Sequence, residues 1–222
     1  MLVRHDLHID WATHKAAVYA CEHWHYSKRV PSGKLVRLGV WENKKFIGVI
    51  IFGIGANRNM LKPYGLNQDE GCELVRIALK KHKAPVSKIV SLALKMLKSS
   101  QNLKLVVSYA DPEQGHHGGI YQAGNWIYAG RSGKAIKIFY KGRWAHLKTV
   151  DDAGVDKTRL PKKIQEGKHI YLMPLTKDMK RKVEHLAKPY PKRVQSIDSD
   201  ALGDQPREGG AIPTCTLQRG LS

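Results

Sequence analysis

Apolar residues recur with the spacing typical of helices in two stretches of the chain. Positions 11–24 carry such a pattern directly after Asp10, which predicts a first helix capped by that carboxylate. The strongest pattern covers residues 85–98, where aliphatic side chains recur three or four positions apart behind a proline that suits a first turn. Residues 117–123 predict a short helix, and so does the first half of the basic stretch 177–193.

Shorter runs rich in branched and aromatic residues predict strands. The polar turn at residues 42–45 separates the first two runs and indicates a hairpin. The predicted strands cover residues 35–41, 46–52, 72–79, 103–109, 126–129, 136–140, 145–150 and 169–172. Because helices and strands alternate along the chain, the pattern predicts an α/β (α+β) fold with a mixed sheet.

The length of 222 residues fits one well-packed domain with a tail. We predict that residues 1–193 form the domain, and that residues 155–193 form a basic C-terminal extension of it. This extension has 12 lysines and arginines against 4 acidic residues. Residues 194–222 are low in apolar content and rich in glycine, proline and serine, which predicts a disordered tail.

The whole chain is strongly basic, with 38 Lys and Arg, 19 Asp and Glu and a net charge of +19. Such a field attracts polyanions, and nucleic acid is the first candidate partner. A generally basic or ribosome-associated protein is the alternative. No membrane association is expected, because no apolar run is long enough to span a bilayer. The three widely spaced cysteines fit a reducing cytoplasm.

Candidate chemistry is concentrated in residues 108–130, SYADPEQGHHGGIYQAGNWIYAG. Asp111 follows a predicted buried strand, at the carboxyl edge where open α/β sheets bind ligands. A glycine-rich turn then brings His116, His117 and Tyr121 into the same neighbourhood. A carboxylate, imidazoles and a phenol together can move protons. The alternatives are a turn role for Asp111 and the histidines and a core position for Tyr121.

Five segments together resemble the Mom family of phage DNA-modification proteins, which is similar to the GNAT acyltransferases. They are HWHYSKRVPSGK, VWENKKFIGVIIFG, CELVRIAL, APVSKIVSLALKML and the 108–130 segment. The resemblance implies a GNAT-like single domain with a central, mostly antiparallel sheet flanked by helices. It also implies an enzyme that converts adenine in double-stranded DNA to a carbamoylmethyl (acetamido) derivative at the exocyclic amine. Such an enzyme, encoded by a phage or prophage, would act in the host cytoplasm and protect DNA from host restriction.

The resemblance implies a set of catalytic candidates: Asp111, Tyr121, His25, Tyr26 and Ser108. Asp111, with His25 or Tyr26, would orient or deprotonate the amine, and Tyr121 would protonate the departing donor fragment. Aromatic rings at the 25–26 position could also stack an extruded base. In a central strand, Arg76 would either pair with Glu73 or contact an anion.

The group donor is predicted to be either acyl-CoA or an aminoacyl-tRNA, which would make tRNA a second partner. GNAT enzymes that use acyl-CoA carry a glycine-rich pyrophosphate loop, but residues 80–88 contain no glycine and Pro85 lacks an N–H group. An anion could still be held there by Lys80, Lys81, Lys83, Ser87 and Lys88. His116 and His117 are further binding candidates. A metal such as iron would require His23, His25, one of these histidines and Asp111 to converge.

The sequence is also compatible with two other functions. One is a GNAT-type N-acyltransferase that acts on a protein or a small molecule, which would need a working CoA loop. The other is a non-enzymatic nucleic-acid-binding protein, in which Asp111 would contribute little because a carboxylate does not favour binding to a polyanion.

Overall fold

The computed structural model describes residues 6–54, 57–100 and 102–192. The predicted disordered tail, residues 194–222, lies outside this part. The described strands, in chain order β1 to β10, are Leu7–Trp11, Leu35–Glu42, Lys45–Gly53, Gly71–Leu79, Leu105–Ala110, Ile127–Arg131, Ala135–Tyr140, Arg143–His146, Lys162–Gln165 and His169–Pro174. The α-helices α1 to α5 are His14–Trp24, Val86–Ser100, Gly119–Gln122, Leu147–Asp151 and Lys177–Val183. Within these stretches, none of the helices has the length and apolar content that crossing a bilayer requires.

The main sheet has seven strands in the order β1-β2-β3-β4-β5-β10-β6. Its pairings are antiparallel except for β4 and β5, which run parallel. Helix α2 covers one face and packs its apolar side on residues of β2, β3 and β5. Helices α1 and α5 pack on the other face, against β3 and β4 and against β5 and β10 respectively. The predicted mixed, mostly antiparallel sheet flanked by helices is therefore confirmed.

A second sheet of three strands has the order β8-β7-β9. One of its faces packs on α4, where Ile138, Ala145 and Val150 form a small core. The predicted strand 145–150 is wrong beyond His146, because Val150 lies on a helix that turns its side chain onto this sheet. Strand β9 was not predicted, since its lysine-rich sequence lacks an apolar alternation.

The first helix begins later than its sequence pattern predicted. Residues 7–11 form β1, an edge strand in which Ile9 pairs with Val40. Helix α1 starts at His14, and its N-cap is Thr13, whose hydroxyl accepts a hydrogen bond from the Ala16 amide at 3.2 Å. The prediction that Asp10 caps this helix is wrong. Aspartate and threonine are both good N-cap residues, but Asp10 lies in β1 and Thr13 is the residue next to the helix.

The parallel strands β4 and β5 separate part of the way along their length. They pair from Gly71 opposite Leu105 to Leu74 opposite Ser108. Beyond Leu74, β4 continues along β3 to Leu79, after a register shift near Val75. The gap that opens between the two strands forms a pocket.

Candidate active site

A cavity of about 620 Å³ lies where β4 and β5 part. Residues 74–77 of β4 form one wall, and residues 109–111, at the end of β5 and directly after it, begin the other. The loop 114–118 and helix α3 continue that second wall, while His25 and Tyr26 close the mouth from the end of α1. The pocket therefore lies at the carboxyl ends of neighbouring strands, as expected for an open α/β sheet.

Two hydroxyl groups meet at the base of the pocket, at the point where the strands part. Ser108 Oγ lies 2.7 Å from Tyr121 Oη and 2.9 Å from the Leu74 carbonyl oxygen. The serine hydroxyl has a single proton, so it donates to one of these oxygens at a time. When it donates to Leu74, the phenol donates to Ser108, and when it donates to Tyr121, the phenol proton is free to point elsewhere.

Tyr121 is held in its neutral form. Its ring is buried between Trp126 and Tyr171, with ring centroids 5.0 and 4.9 Å away. Burial raises the pKa of Tyr121 to about 12, and the negative charge of Glu73 acts in the same direction. The hydrogen bond with Ser108 opposes this shift and is outweighed. Tyr121 therefore lines the pocket as a protonated group that can donate.

His25 is a neutral imidazole at the mouth of the pocket. Burial lowers the pKa of His25 to about 4, with further lowering by Arg76 and His116. The Ser27 amide donates to Nδ1 at 3.1 Å, which fixes the lone pair on that nitrogen. The ring proton is then on Nε2, so the imidazole can donate a hydrogen bond from that side.

The Tyr26 ring lies beside the His25 ring and is partly exposed to solvent. It is 55% exposed and lies 4.3 Å from the His25 ring and 5.7 Å from the His116 ring. Three flat rings at one opening provide a surface on which a planar ligand can stack.

Asp111 lines the pocket, with partners on both oxygens. Its Oδ1 accepts from the Glu113 amide at 3.1 Å and caps the short turn that follows. Its Oδ2 lies 3.2 Å from Lys168 Nζ and 3.5 Å from the Gln165 amide nitrogen. The turn role and a place in the pocket are thus combined in one residue, and its catalytic role remains a prediction.

Arg76 reaches the pocket from the face of β4 that carries α1. Its Nη1 donates to the Val75 carbonyl at 2.8 Å, while Nε is buried without a hydrogen-bond partner. Among the described residues, no ion pair joins Arg76 to Glu73. Burial raises the pKa of the Glu73 carboxyl, and the charges of Lys168 and Arg76 lower it by a smaller amount. Arg76 therefore retains hydrogen-bonding capacity for a ligand.

The glycine-rich turn is shaped by its backbone. The His117 carbonyl accepts from Tyr171 Oη at 2.6 Å and from the Gln122 amide at 3.3 Å. Gly118 has φ 83°, and a side chain there would meet the Tyr171 ring at 2.2 Å, so only glycine fits. His116 is exposed at the pocket rim.

The histidines do not assemble the predicted metal set. His23 lies outside the pocket, where it stacks on Tyr19 at 4.1 Å and its Nδ1 donates to the Tyr19 carbonyl at 2.8 Å. Across the part of the chain that the structure describes, no three His, Cys, Asp or Glu side chains group as metal ligands.

The loop before α2 is occupied by a carboxylate from the chain itself. Glu42, only 8% exposed, accepts hydrogen bonds from the Ala84 amide at 2.7 Å and from the Lys83 amide at 3.1 Å. Pro85 contributes no N–H group. The amides that would cradle a pyrophosphate are therefore engaged, and this loop does not fit acyl-CoA in the manner of the glycine-rich GNAT loop.

Sequence reasoning missed Glu42 because it placed this residue in a four-residue turn. The turn consists of Asn43 and Lys44, which have φ 50° and 64°, and Glu42 is the last residue of β2. Asparagine is favoured at the first position of a two-residue hairpin turn in which both φ values are positive. Asn43 was therefore a signal in the sequence for this shorter turn.

The predicted candidates fall into two groups in the structure. One group lines the pocket and comprises His25, Tyr26, Arg76, Asp111, His116, His117 and Tyr121, with Ser108 bonded beneath Tyr121. The other group does not line it and comprises Lys80, Lys81, Ser87 and Lys88. In that group, Lys80 lies over the Trp24 ring at 5.8 Å and Ser87 lines a separate groove of about 190 Å³.

The sheet is mixed and parts between β4 and β5, where a phenol, an imidazole and a guanidinium line the opening. The fold is therefore that of an α/β protein with a candidate ligand site at that edge. The chain belongs to the Mom protein family, which matches residues 6–192.

One phage protein is similar to this chain in sequence. The methylcarbamoylase mom of Escherichia phage Mu is 30% identical over 134 residues, which are 57% of this chain and 54% of that protein. The chain thus spans about half the length of this curated relative.

Among solved structures, a putative acetyltransferase from Acinetobacter baylyi ADP1 is 12% identical, with a TM-score of 0.45 over 79% of this chain and 95% of that one. The N-acyl amino acid synthase FeeM from uncultured soil microbes is 8% identical, with a TM-score of 0.47 over 83% of this chain and 99% of that one. Both are likenesses of fold alone.

Proposed function

We propose that this protein is a transferase that modifies adenine in double-stranded DNA, replacing one hydrogen of the exocyclic amine with a carbamoylmethyl (acetamido) group. Membership of the Mom family and the phage relative named a methylcarbamoylase support this reaction. The observation that carries the proposal is the buried Tyr121–Ser108 hydroxyl pair at the base of the pocket. In a phage, the modification would protect DNA from host restriction.

The pocket suits an extruded base. An enzyme that acts on the adenine amine within a duplex has to take the base out of the stack. The cavity of about 620 Å³ is large enough for a purine, and the rings of His25, Tyr26 and His116 at its mouth offer surfaces for stacking. The neutral His25 imidazole would donate a hydrogen bond to one ring nitrogen of the purine, and the charged Arg76 guanidinium would donate to another.

The transfer moves one proton and one carbon substituent. The amine nitrogen forms a bond to the donor carbon and loses a proton, while the bond between that carbon and its leaving group breaks with the electron pair on the leaving group. Tyr121 remains protonated and would supply a proton to that group, with Ser108 turning its own proton toward the phenol oxygen. Asp111 would orient the amine, whose delocalised lone pair makes positioning a large part of the rate.

The donor is proposed to be a species other than acyl-CoA. The support is the Glu42 carboxylate, which occupies the amides of the loop before α2. An aminoacyl-tRNA is the donor to test first, since a polyanion matches the net charge of +19. Attack on its ester carbonyl would release the tRNA hydroxyl and give a glycyl amide of adenine. The carbamoylmethyl group is an isomer of that product, so this donor would also require an isomerisation that moves the attachment from the carbonyl carbon to the methylene carbon.

The experiment is nucleoside mass spectrometry of DNA from cells that express the protein. We expect a carbamoylmethyl adduct of deoxyadenosine with the natural sequence and with Tyr19→Phe, a control at an exposed tyrosine on α1. We expect loss of the adduct with Tyr121→Phe. An unmodified adenine pool, with folded protein present, would contradict the proposal and favour a binding protein or an acyltransferase with another substrate.

A further inference from the structure

The second sheet exposes aromatic side chains on the face away from its small core. Because directly opposed residues of antiparallel strands share a face, Phe139 lies beside Trp144, and Lys137 lies beside Lys163. The two aromatic rings meet edge to face at 5.4 Å, and they are 40% and 41% exposed. We call these four residues the aromatic face.

Lysine side chains frame these rings. Lys163 Nζ lies 5.3 Å from the centre of the Trp144 ring, in a cation–π contact. Desolvation and the charges of Lys168 and Lys163 lower the pKa of Lys137. The charges of Asp111 and Glu113 act in the opposite direction. The Lys137 and Lys163 side chains thus place two ammonium groups next to the exposed rings.

The charge of the surrounding segment has the same sign. Residues 132–168, which contain the second sheet, have ten lysines and arginines and four acidic residues. Exposed aromatic rings interleaved with cations are a combination by which proteins hold single-stranded or unstacked nucleic acid, since the rings stack on accessible bases and the cations contact phosphates.

The aromatic face is joined to the rim of the pocket by direct contacts. Lys163 Nζ lies 3.4 Å from a Glu113 carboxylate oxygen, and the Gln165 amide donates to the same oxygen at 3.2 Å. Gln165 also reaches Asp111, which lines the pocket. A strand that delivers a base to the pocket would therefore pass over this face.

We propose that the aromatic face binds the DNA that flanks the extruded adenine, with Phe139 and Trp144 against bases that unstack beside it and with Lys137 and Lys163 against phosphates. The inference rests on the proposed function, because DNA is the substrate assumed there. It adds a substrate-binding surface on a part of the fold that lies outside the pocket.

The first test is fluorescence anisotropy of a labelled DNA duplex. We expect Trp144→Ala to weaken binding about tenfold, as the loss of one stacking contact does, and Trp144→Phe to restore most of it. The matched control is Trp11→Ala, because Trp11 is 52% exposed on β1 at the opposite edge of the main sheet. Equal affinities of the natural protein and Trp144→Ala would overturn the inference.

The second test is the salt dependence of the same binding. We expect Lys163→Ala to reduce the slope of log Kd against log salt by about one, as the loss of one phosphate contact does. Lys95→Ala, at an exposed lysine on α2, should leave the slope unchanged. An unchanged slope in Lys163→Ala would overturn the phosphate contact.

Two readouts separate this inference from the proposed function. If Trp144→Ala loses affinity for duplex DNA while the natural protein forms no adenine adduct, the surface stands and the proposed reaction fails. If Trp144→Ala weakens binding of tRNA and leaves duplex binding intact, the assignment of the aromatic face to DNA is overturned.

Discussion

The pocket between β4 and β5 and the loop before α2 use buried polar groups in opposite ways. In the pocket, the Tyr121 and Ser108 hydroxyls hydrogen-bond to each other, and Tyr121 faces a cavity of about 620 Å³. In the loop, the Lys83 and Ala84 amides point at a carboxylate of the same chain, Glu42. One region keeps proton-bearing groups available to a ligand, and the other has its donors satisfied internally.

The difference shows that donor groups at the start of a helix do not by themselves define an anion site. Free amides at a helix start attract phosphate. Here a strand end delivers a carboxylate to the same position, so the amides stabilise the fold instead. The Glu42 carboxylate also offsets part of the positive charge of the lysines in residues 80–88, which weakens the attraction of this loop for a further anion.

The largest expected effect is on the pocket side. Tyr121→Phe removes the proton donor and should lower the adduct yield by at least about a hundredfold, the usual contribution of a general acid. Ser108 keeps the Leu74 carbonyl as a partner, so stability should change by only about 1 kcal/mol. Adduct yield per folded protein measures the first effect and urea unfolding the second. Retention of full yield would remove Tyr121 from the reaction.

On the loop side, Glu42→Ala should lower the free energy of unfolding by about 2 kcal/mol, because it leaves two amides without their charged acceptor. Adding pyrophosphate should restore part of that loss in the variant and stabilise the natural protein little. Urea unfolding with and without pyrophosphate measures both. Glu22→Ala, at an exposed residue of α1, is the control. A variant as stable as the natural protein would contradict the role given to Glu42.

Substitutions at Asp111 can separate its structural contacts, with the Glu113 amide and Lys168, from its proposed role in orienting the adenine amine. Asp111→Asn keeps an oxygen for the Glu113 amide and loses the ion pair with Lys168. We expect adduct yield to fall about tenfold through poorer positioning of the amine, with a stability change under about 1 kcal/mol. Lys168→Ala removes the same ion pair from the other side. Equal losses of yield in the two variants would show that Asp111 acts through the ion pair alone.

The smallest expected effect is the pH dependence of stability through His25. The folded ring has a pKa of about 4, against 6.5 for a free histidine. Between these values the unfolded chain binds the extra proton, so stability falls as pH drops from 6.5 toward 4. At pH 5.5, the stability lost through this group should be at most about 1 kcal/mol, and His25→Asn should show a shallower decline. Parallel curves for the two proteins in urea unfolding would contradict the lowered pKa.

The regular elements could be predicted where their signals were long. Helix α2 and strands β2 to β5 were placed within a few residues, because their apolar periodicity runs over many positions. Strand β1 was missed, since an edge strand needs little apolar alternation and Thr13 competes with Asp10 as a cap. Strand β9 is held by its pairing with β7, which its own residues do not encode.

The site was predictable as a set of residues and not as a set of contacts. Segment 108–130 pointed to Tyr121 and Asp111, and both line the pocket. Their partners could not be predicted, because Lys168 lies 57 positions after Asp111 and Glu42 lies 42 positions before Ala84. Such contacts depend on which strands become neighbours.

The most direct test of the contrast between the two regions is the yield of modified deoxyadenosine in DNA from cells that express Tyr121→Phe or Glu42→Gln, at equal levels of folded protein. We expect the adduct to be lost with Tyr121→Phe and largely kept with Glu42→Gln. Loss of the adduct with Glu42→Gln and its retention with Tyr121→Phe would show that the loop, and not the hydroxyl pair of the pocket, supports the reaction.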